Sequence, residues 1–186
     1  MPYQDEALAK LKSFEGCIPW MYLDSVGKVT VGIGLMLPDV AAALAVPFQQ
    51  SAGDTHDADP EPVQQEFARV SKMEANHSAG YYRTTLSPVL SMETMERLCR
   101  ERITEGEIGL RELFPGYDAM PDAVKVALID MQYNLGTHGL GKYMHLRAAL
   151  EAGNLPLAAV ECHRFGIQPE RNEWTTQQFL AAAHAA

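Results

Sequence analysis

Residues 15–34 read EGCIPWMYLDSVGKVTVGIG, and how they are read decides the fold. Val29, Val31 and Ile33 alternate with small or polar residues, the two-residue period of a strand. Asp24-Ser25-Val26-Gly27 separates this run from the preceding Trp20-Met21-Tyr22-Leu23 with residues that favour turns. Two short runs joined this way predict a β-hairpin. A lone hairpin is marginal in water, so this one must lean on helices.

The residues on either side supply them. Upstream, Tyr3, Ala7, Leu8, Leu11 and Phe14 recur at helical spacing, which predicts a helix over 3–14 closed by Gly16. Pro19 opposes its continuation. Downstream, an alanine-rich helix is expected over 36–46, then a polar loop over 49–60 and a helix over 61–77. An irregular stretch follows over 78–88. Ser91 is a candidate cap for a helix reaching Leu113, where Phe114-Pro115-Gly116 stops it. Further helices are expected from 122 to Gly136, over 142–152, over 155–164 and over 171–183. The expected fold is α+β and mainly helical, one domain over 1–186. A first helix and hairpin occupy 3–35, an insert 38–89 and a helical lobe 90–183, with a cleft between the small and large lobes.

Composition narrows the function. Hydrophobic residues make up 47% of the 186, enough for a packed core. The formal net charge is −9, which disfavours nucleic acid as a partner, because phosphate binding needs a basic face. Between Pro38 and Ala68 lie Asp39, Asp54, Asp57, Asp59, Glu61 and Glu66 and no Lys or Arg. No apolar run is long enough for a membrane span, and the N-terminus lacks the pattern of a Sec signal peptide. Cys17, Cys99 and Cys162 have neither metal nor redox spacing, and the six histidines are scattered. No metal is expected.

The residues with chemistry to offer are Glu15, Asp24 and Thr30. A helix end followed by a hairpin can hold two carboxylates facing one space. Glycoside hydrolysis needs such a pair, one to protonate the leaving oxygen and one to activate water or attack carbon. The two must differ in effective pKa for both roles to coexist. A threonine hydroxyl beside the second carboxylate can hold a water in line. On spacing alone, a surface Glu and Asp fit the sequence equally well.

The run Glu15-Gly16, Tyr22, Asp24, Gly27, Thr30, Gly32 and Gly34 resembles the signature of the phage-type lysozymes, the T-even phage muramidase group of glycoside hydrolase family 24. Residues 122–136, DAVKVALIDMQYNLG, resemble that family's central helix, and residues 164–183, RFGIQPERNEWTTQQFLAAA, its C-terminal helices. The resemblance implies a lysozyme-like fold and peptidoglycan as substrate. It implies hydrolysis of the β-1,4 bond between N-acetylmuramic acid and N-acetylglucosamine, with no cofactor. Glu15 would be the general acid, with Asp24 and Thr30 activating or positioning water. It further implies substrate-side roles for Tyr133 and Asn134, and a place for Arg171 beside Glu15.

Each of these has a plainer alternative. Tyr133 stacks on a sugar or belongs to the core, Asn134 binds sugar or caps its helix, and Arg171 pairs with Glu15 or is a solvated helix residue. Trp20 reads as a packed hairpin residue and Trp174 as core. The chain departs from the family at Leu35, where many phage members have histidine, in residues 38–89, and in its acidic balance. The insert and the RNEWTT ending look more like lysozyme domains that bacteria deliver into rivals' periplasm through contractile secretion systems. Those features leave open a phage endolysin or a secreted effector. Either would be made in the cytoplasm and reach the periplasm or wall by holin release or secretion. A monomer is expected, with no membrane partner and with an inhibitor or immunity protein as a candidate partner. A lytic transglycosylase and a catalytically inactive wall-binding module are the competing functions.

Overall fold

A computed structural model describes residues 2–185. The chain divides into two compact units, Met1–Phe14 with Arg100–Ala186, and Glu15–Cys99. The architecture is α+β and mainly helical, with a three-stranded antiparallel sheet in the order β1-β2-β3. Among the described residues no helix is long and apolar enough to cross a membrane.

Helix α1 spans Tyr3–Glu15 and buries Ala7, Leu8 and Leu11, the stripe that its spacing foretold. The sheet follows, with β1 over Ile18–Leu23, β2 over Val29–Gly32 and β3 over Leu35–Met36. Tyr22 pairs with Thr30 and Leu23 with Val29. The register slips between Ile18 and Tyr22, around Pro19, which has no N–H to give the ladder. The Pro19 carbonyl accepts from the Leu90 amide at 2.8 Å instead. All four residues of β2 are buried. The third strand was not expected from the sequence. It takes the place of the start of the predicted 36–46 helix, of which only α2, Val40–Leu44, is helical. Asp39 caps α2, its Oδ1 accepting from the Ala42 amide at 2.8 Å.

The insert folds onto the hairpin and has its own core. Helix α3 spans Pro60–Val70 and α4 is the single turn Ala79–Tyr82. Both pack on β1. The helix expected to reach His77 stops at Val70, and a turn leads to Asn76, whose φ is +65°. Phe48, Val63, Val70 and Tyr82 are buried. Arg69 ties the insert together, bound to Glu66 through two hydrogen bonds of 2.8 Å and to the Tyr82 carbonyl. Gln49 and Val89 exchange both backbone hydrogen bonds, at 2.7 and 2.8 Å, which closes the loop over 49–89.

The other unit is helical. Helix α5 spans Met92–Leu113 and crosses the boundary between the units. The Ser91 hydroxyl caps it, accepting from the Thr94 amide at 3.0 Å, as expected. Helix α6 spans Asp122–Gly141 and is buried on nearly every side from Val126 to Met131. It kinks at Gly136, where φ is +67° and ψ 165°, and then resumes. The sequence placed its end at that glycine. Helices α7, α8 and α9 span Met144–Glu151, Leu155–Glu161 and Pro169–Ala185, and α9 packs on α6 and α8.

An ionic knot fastens α9 to α6. The Asp130 carboxylate accepts from Arg164 Nη2 at 2.7 Å on Oδ2 and from Arg171 Nε at 2.9 Å on Oδ1, with Arg171 Nη2 in ion-pair contact with Oδ1 at 2.8 Å. Thr175 Oγ1 accepts from Arg164 Nη2 at 2.7 Å and donates to the Arg171 carbonyl at 2.8 Å. Asp130, Arg164 and Arg171 are 2%, 1% and 3% exposed. Charges this deep persist only when paired and hydrogen-bonded on several sides.

Candidate active site

Glu15 is the last residue of α1, and Gly16 turns the chain out of the helix with φ +76°. Its carboxylate lies against the turn between β2 and β3. A β-carbon placed on Gly34 would come within 3.1 Å of Glu15 Oε2. Gly34 has φ +65°, so this turn needs glycine both for its backbone and for the room that Glu15 takes up.

Asp24 closes the hairpin. Its Oδ1 accepts from the Val26 amide at 3.0 Å and the Lys28 amide at 2.8 Å. Its backbone N–H donates to the Lys28 carbonyl at 2.9 Å. The residue therefore shapes the turn with one oxygen while Oδ2 remains for another partner.

Glu15 and Asp24 line the same open pocket, of about 410 Å³, with Ile18, Tyr22 and Ser25 on the hairpin side. The opposite wall comes from the insert, through Asn76, His77 and Ala79. Tyr22 reports the electrostatics. Its hydroxyl is pushed up to about 12, first by burial, then by the charges of Glu15 and Asp24. Both carboxylates thus act on one phenol from one pocket. His77 stacks on Tyr81 with ring centroids 3.9 Å apart and approaches Glu74 at 3.5 Å. Sequence reasoning missed this wall, because no local pattern in residues 74–79 signals it. Tyr22 belonged to the recognised run, yet had no role assigned to it.

Thr30 stands directly across from Tyr22 on the same face of the sheet. It is only 3% exposed, and its hydroxyl donates to the Lys28 carbonyl at 3.1 Å. It does not line the pocket. The other expected site residues lie in the helical unit. Tyr133 is 9% exposed with the Arg102 guanidinium 4.0 Å from its ring centre, as a packed residue would be. Asn134 is exposed, and its side chain caps nothing in α6. Arg171 is the buried partner of Asp130, which excludes the solvated alternative. Trp174 meets Phe14 edge-on at 5.5 Å.

Trp20 braces the pocket. Its Nε1 donates to the Ala79 carbonyl at 2.8 Å, and the Arg83 guanidinium lies 4.4 Å from its ring centre. Among the described residues, no group of three His, Cys, Asp or Glu side chains is placed to hold a metal ion. A second pocket, of about 450 Å³ in the helical unit, is lined mainly by Phe114, Met120, Leu150 and Leu155 and holds a single carboxylate, Glu151. It lacks the paired groups that acid–base chemistry needs.

Comparison of the chain with protein-family models and with curated proteins finds no match.

Proposed function

We propose that this protein hydrolyses the glycan backbone of peptidoglycan, as an N-acetylmuramidase, with Glu15 as general acid. The observation that carries the reading is the meeting of Glu15 and Asp24 in one open pocket around Tyr22. A glycosidic oxygen leaves only when protonated, and the positive charge that builds on the sugar needs a carboxylate or an activated water opposite the acid. Glu15, held at the end of a helix and against a glycine turn, is fixed well enough to deliver a proton. Asp24 keeps its position through the turn and can present Oδ2 to water or to carbon. Thr30 acts beside Tyr22, steadying the hairpin through the Lys28 carbonyl. In this reading the substrate lies beyond the inner membrane, and the protein reaches it by delivery or release.

One observation favours a second reading. The Thr30 hydroxyl is buried and engaged with backbone, so it is not presented to a water in the pocket. A lytic transglycosylase needs one acid and no positioned water. It would make the sugar's own hydroxyl the nucleophile and leave an anhydro end.

Purified wall treated with the wild-type protein and with Glu15→Gln decides between these and an inactive binder. Hydrolysis predicts clearing by the wild type, none by the variant, and fragments with free reducing ends. Fragments lighter by one water establish the transglycosylase. Wall that is bound and never cut refutes both enzymes.

A further inference from the structure

The hollow in the helical unit, of about 450 Å³, shares no lining residue with the pocket of Glu15 and Asp24. Phe114 and Leu150, both buried, contribute its deepest apolar surface. One wall is the turn over 115–121, which leads from α5 into α6. Pro115 and Pro121 hold their own φ there. Between them the Tyr117 hydroxyl donates to the buried Glu107 carboxylate at 2.9 Å, which anchors the turn. The other wall is the exit from α7, Glu151 and Gly153, with Leu155 at the start of α8. The hollow is therefore prebuilt, and its volume lies in the range of small-molecule sites.

Glu151 sets the charge of this hollow. It is the last residue of α7, where the carbonyl ends of the peptide dipoles already gather negative charge. No basic residue lies in that last turn to offset it. Arg147, one turn back, directs Nη1 to Met144 Sδ at 3.9 Å. Among the described residues Glu151 has neither an ion-pair nor a hydrogen-bond partner. Asp118 and Asp122, in and beside the opposite wall, are both compensated, by Arg111 at 3.0 Å and by Lys125 at 3.8 Å. The last carbonyls of α7 are spent as well, since Ala148, Ala149 and Leu150 accept from the amides of Ala152, Asn154 and Gly153. What remains for a ligand is one carboxylate at the rim of an apolar hollow.

We infer that this hollow binds a small organic cation, an ammonium head on an aryl or branched alkyl body. The body takes the apolar lining of Phe114, Met120, Leu150 and Leu155, and the head meets Glu151 at the negative end of α7. A bare metal ion does not fit, because no three ligating side chains gather among the described residues. A protein partner does not fit either. Such contacts spread over exposed apolar surface, and the large apolar side chains that are exposed, such as Val160 and Phe165, lie outside this hollow. The site is independent of the chemistry proposed at Glu15.

The test is binding, followed by amide NMR on the intact protein. The probes are phenethylammonium, the neutral phenethyl alcohol and the anionic phenylacetate. The ammonium should shift the signals of Gly116, Ala119 and Gly153. It should bind about threefold or more tightly than the alcohol, the gain expected of an exposed ion pair, and the carboxylate should bind most weakly. Glu151→Gln should bring the ammonium down to the affinity of the alcohol and leave the alcohol unchanged. Ala119→Phe, at an exposed position that the fold does not need, should fill the hollow and weaken all three. Silent signals at those three residues overturn the inference. So does an alcohol or a carboxylate that binds as tightly as the ammonium, a preference for the cation that survives Glu151→Gln, or binding undiminished by Ala119→Phe.

Discussion

Glu15 Oε2 lies so near Gly34 that a single added β-carbon would sit 3.1 Å from it. The acid is thus set by two local devices, the end of α1 behind it and a side-chain-free turn in front. Gly34→Ala tests the second. Its φ of +65° costs any other residue about 1 kcal/mol, and the methyl pushes the carboxylate aside by a few tenths of an ångström or more. Small misplacements of a reacting group are expensive in rate. Wall-clearing activity should fall about tenfold or more, while urea melts show a loss of about 1–2 kcal/mol. Full activity in a destabilised variant would show that the position of Glu15 at this turn is unused.

Asp24 carries two duties that a pair of variants can separate. Asparagine retains an oxygen that can accept from the Val26 and Lys28 amides, so Asp24→Asn should keep the turn and lie within about 0.5 kcal/mol of wild type. Alanine removes both bonds and should cost about 1–2 kcal/mol. Both lose the charge. Activity should therefore drop alike in the two variants although stability does not. Activity that tracks stability instead would make Asp24 a turn former only.

The hairpin and its two carboxylates were legible because they rest on local physics. Val29 and Val31 show the strand period, and Asp24 to Gly27 carry turn chemistry in their own side chains and backbone. Strand β3 was not legible. Leu35 and Met36 are too short a run to show a period, and their pairing depends on the Gly32–Gly34 turn bringing them back to β2. The alternation of β2 predicts which side each residue faces, yet says nothing about whether the second face is covered as well. That is why Thr30 looked available and is buried. The pocket's far wall escaped for the same reason. Asn76 and His77 reach the site only because α3 and α4 pack on β1, a contact between segments some fifty residues apart.

Tyr22 offers a spectroscopic reading of the site. Its hydroxyl is raised from 10.0 to about 12, with burial the largest cause and Glu15 ahead of Asp24. Phenolate absorbance should show two tyrosines titrating near 12, Tyr22 and Tyr3, and Tyr22→Phe should halve that step. Glu15→Gln should bring the value down more than Asp24→Asn, and neither should restore 10, because burial persists. The raised value also has a sign for stability. A group whose folded pKa exceeds its unfolded one stabilises fully below about 10, and the contribution fades as pH rises from 10 to 12. Tyr22→Phe should therefore lose less stability than wild type over that window. A Tyr22 unaffected by either carboxylate substitution would mean that the two charges do not share its pocket.

Asp130 supplies the largest expected effect on stability, and it lies in the helical unit. Its two oxygens receive Arg164 and Arg171, all three residues being nearly inaccessible to water. Asp130→Asn leaves two guanidinium groups facing a neutral amide in a medium that screens little. Removing one partner from a buried ionic group costs about 3–5 kcal/mol, far more than the net worth of the pair. A substantial share of the stability of a domain this size would go, and thermal melting should fall by about 10 °C or more. Arg164→Met is the informative companion, since it removes one cation, leaves Asp130 paired with Arg171 and fills much of the space. It should cost clearly less than Asp130→Asn. Equal losses in the two variants would show that packing, rather than the uncompensated charge, sets the strength of this knot.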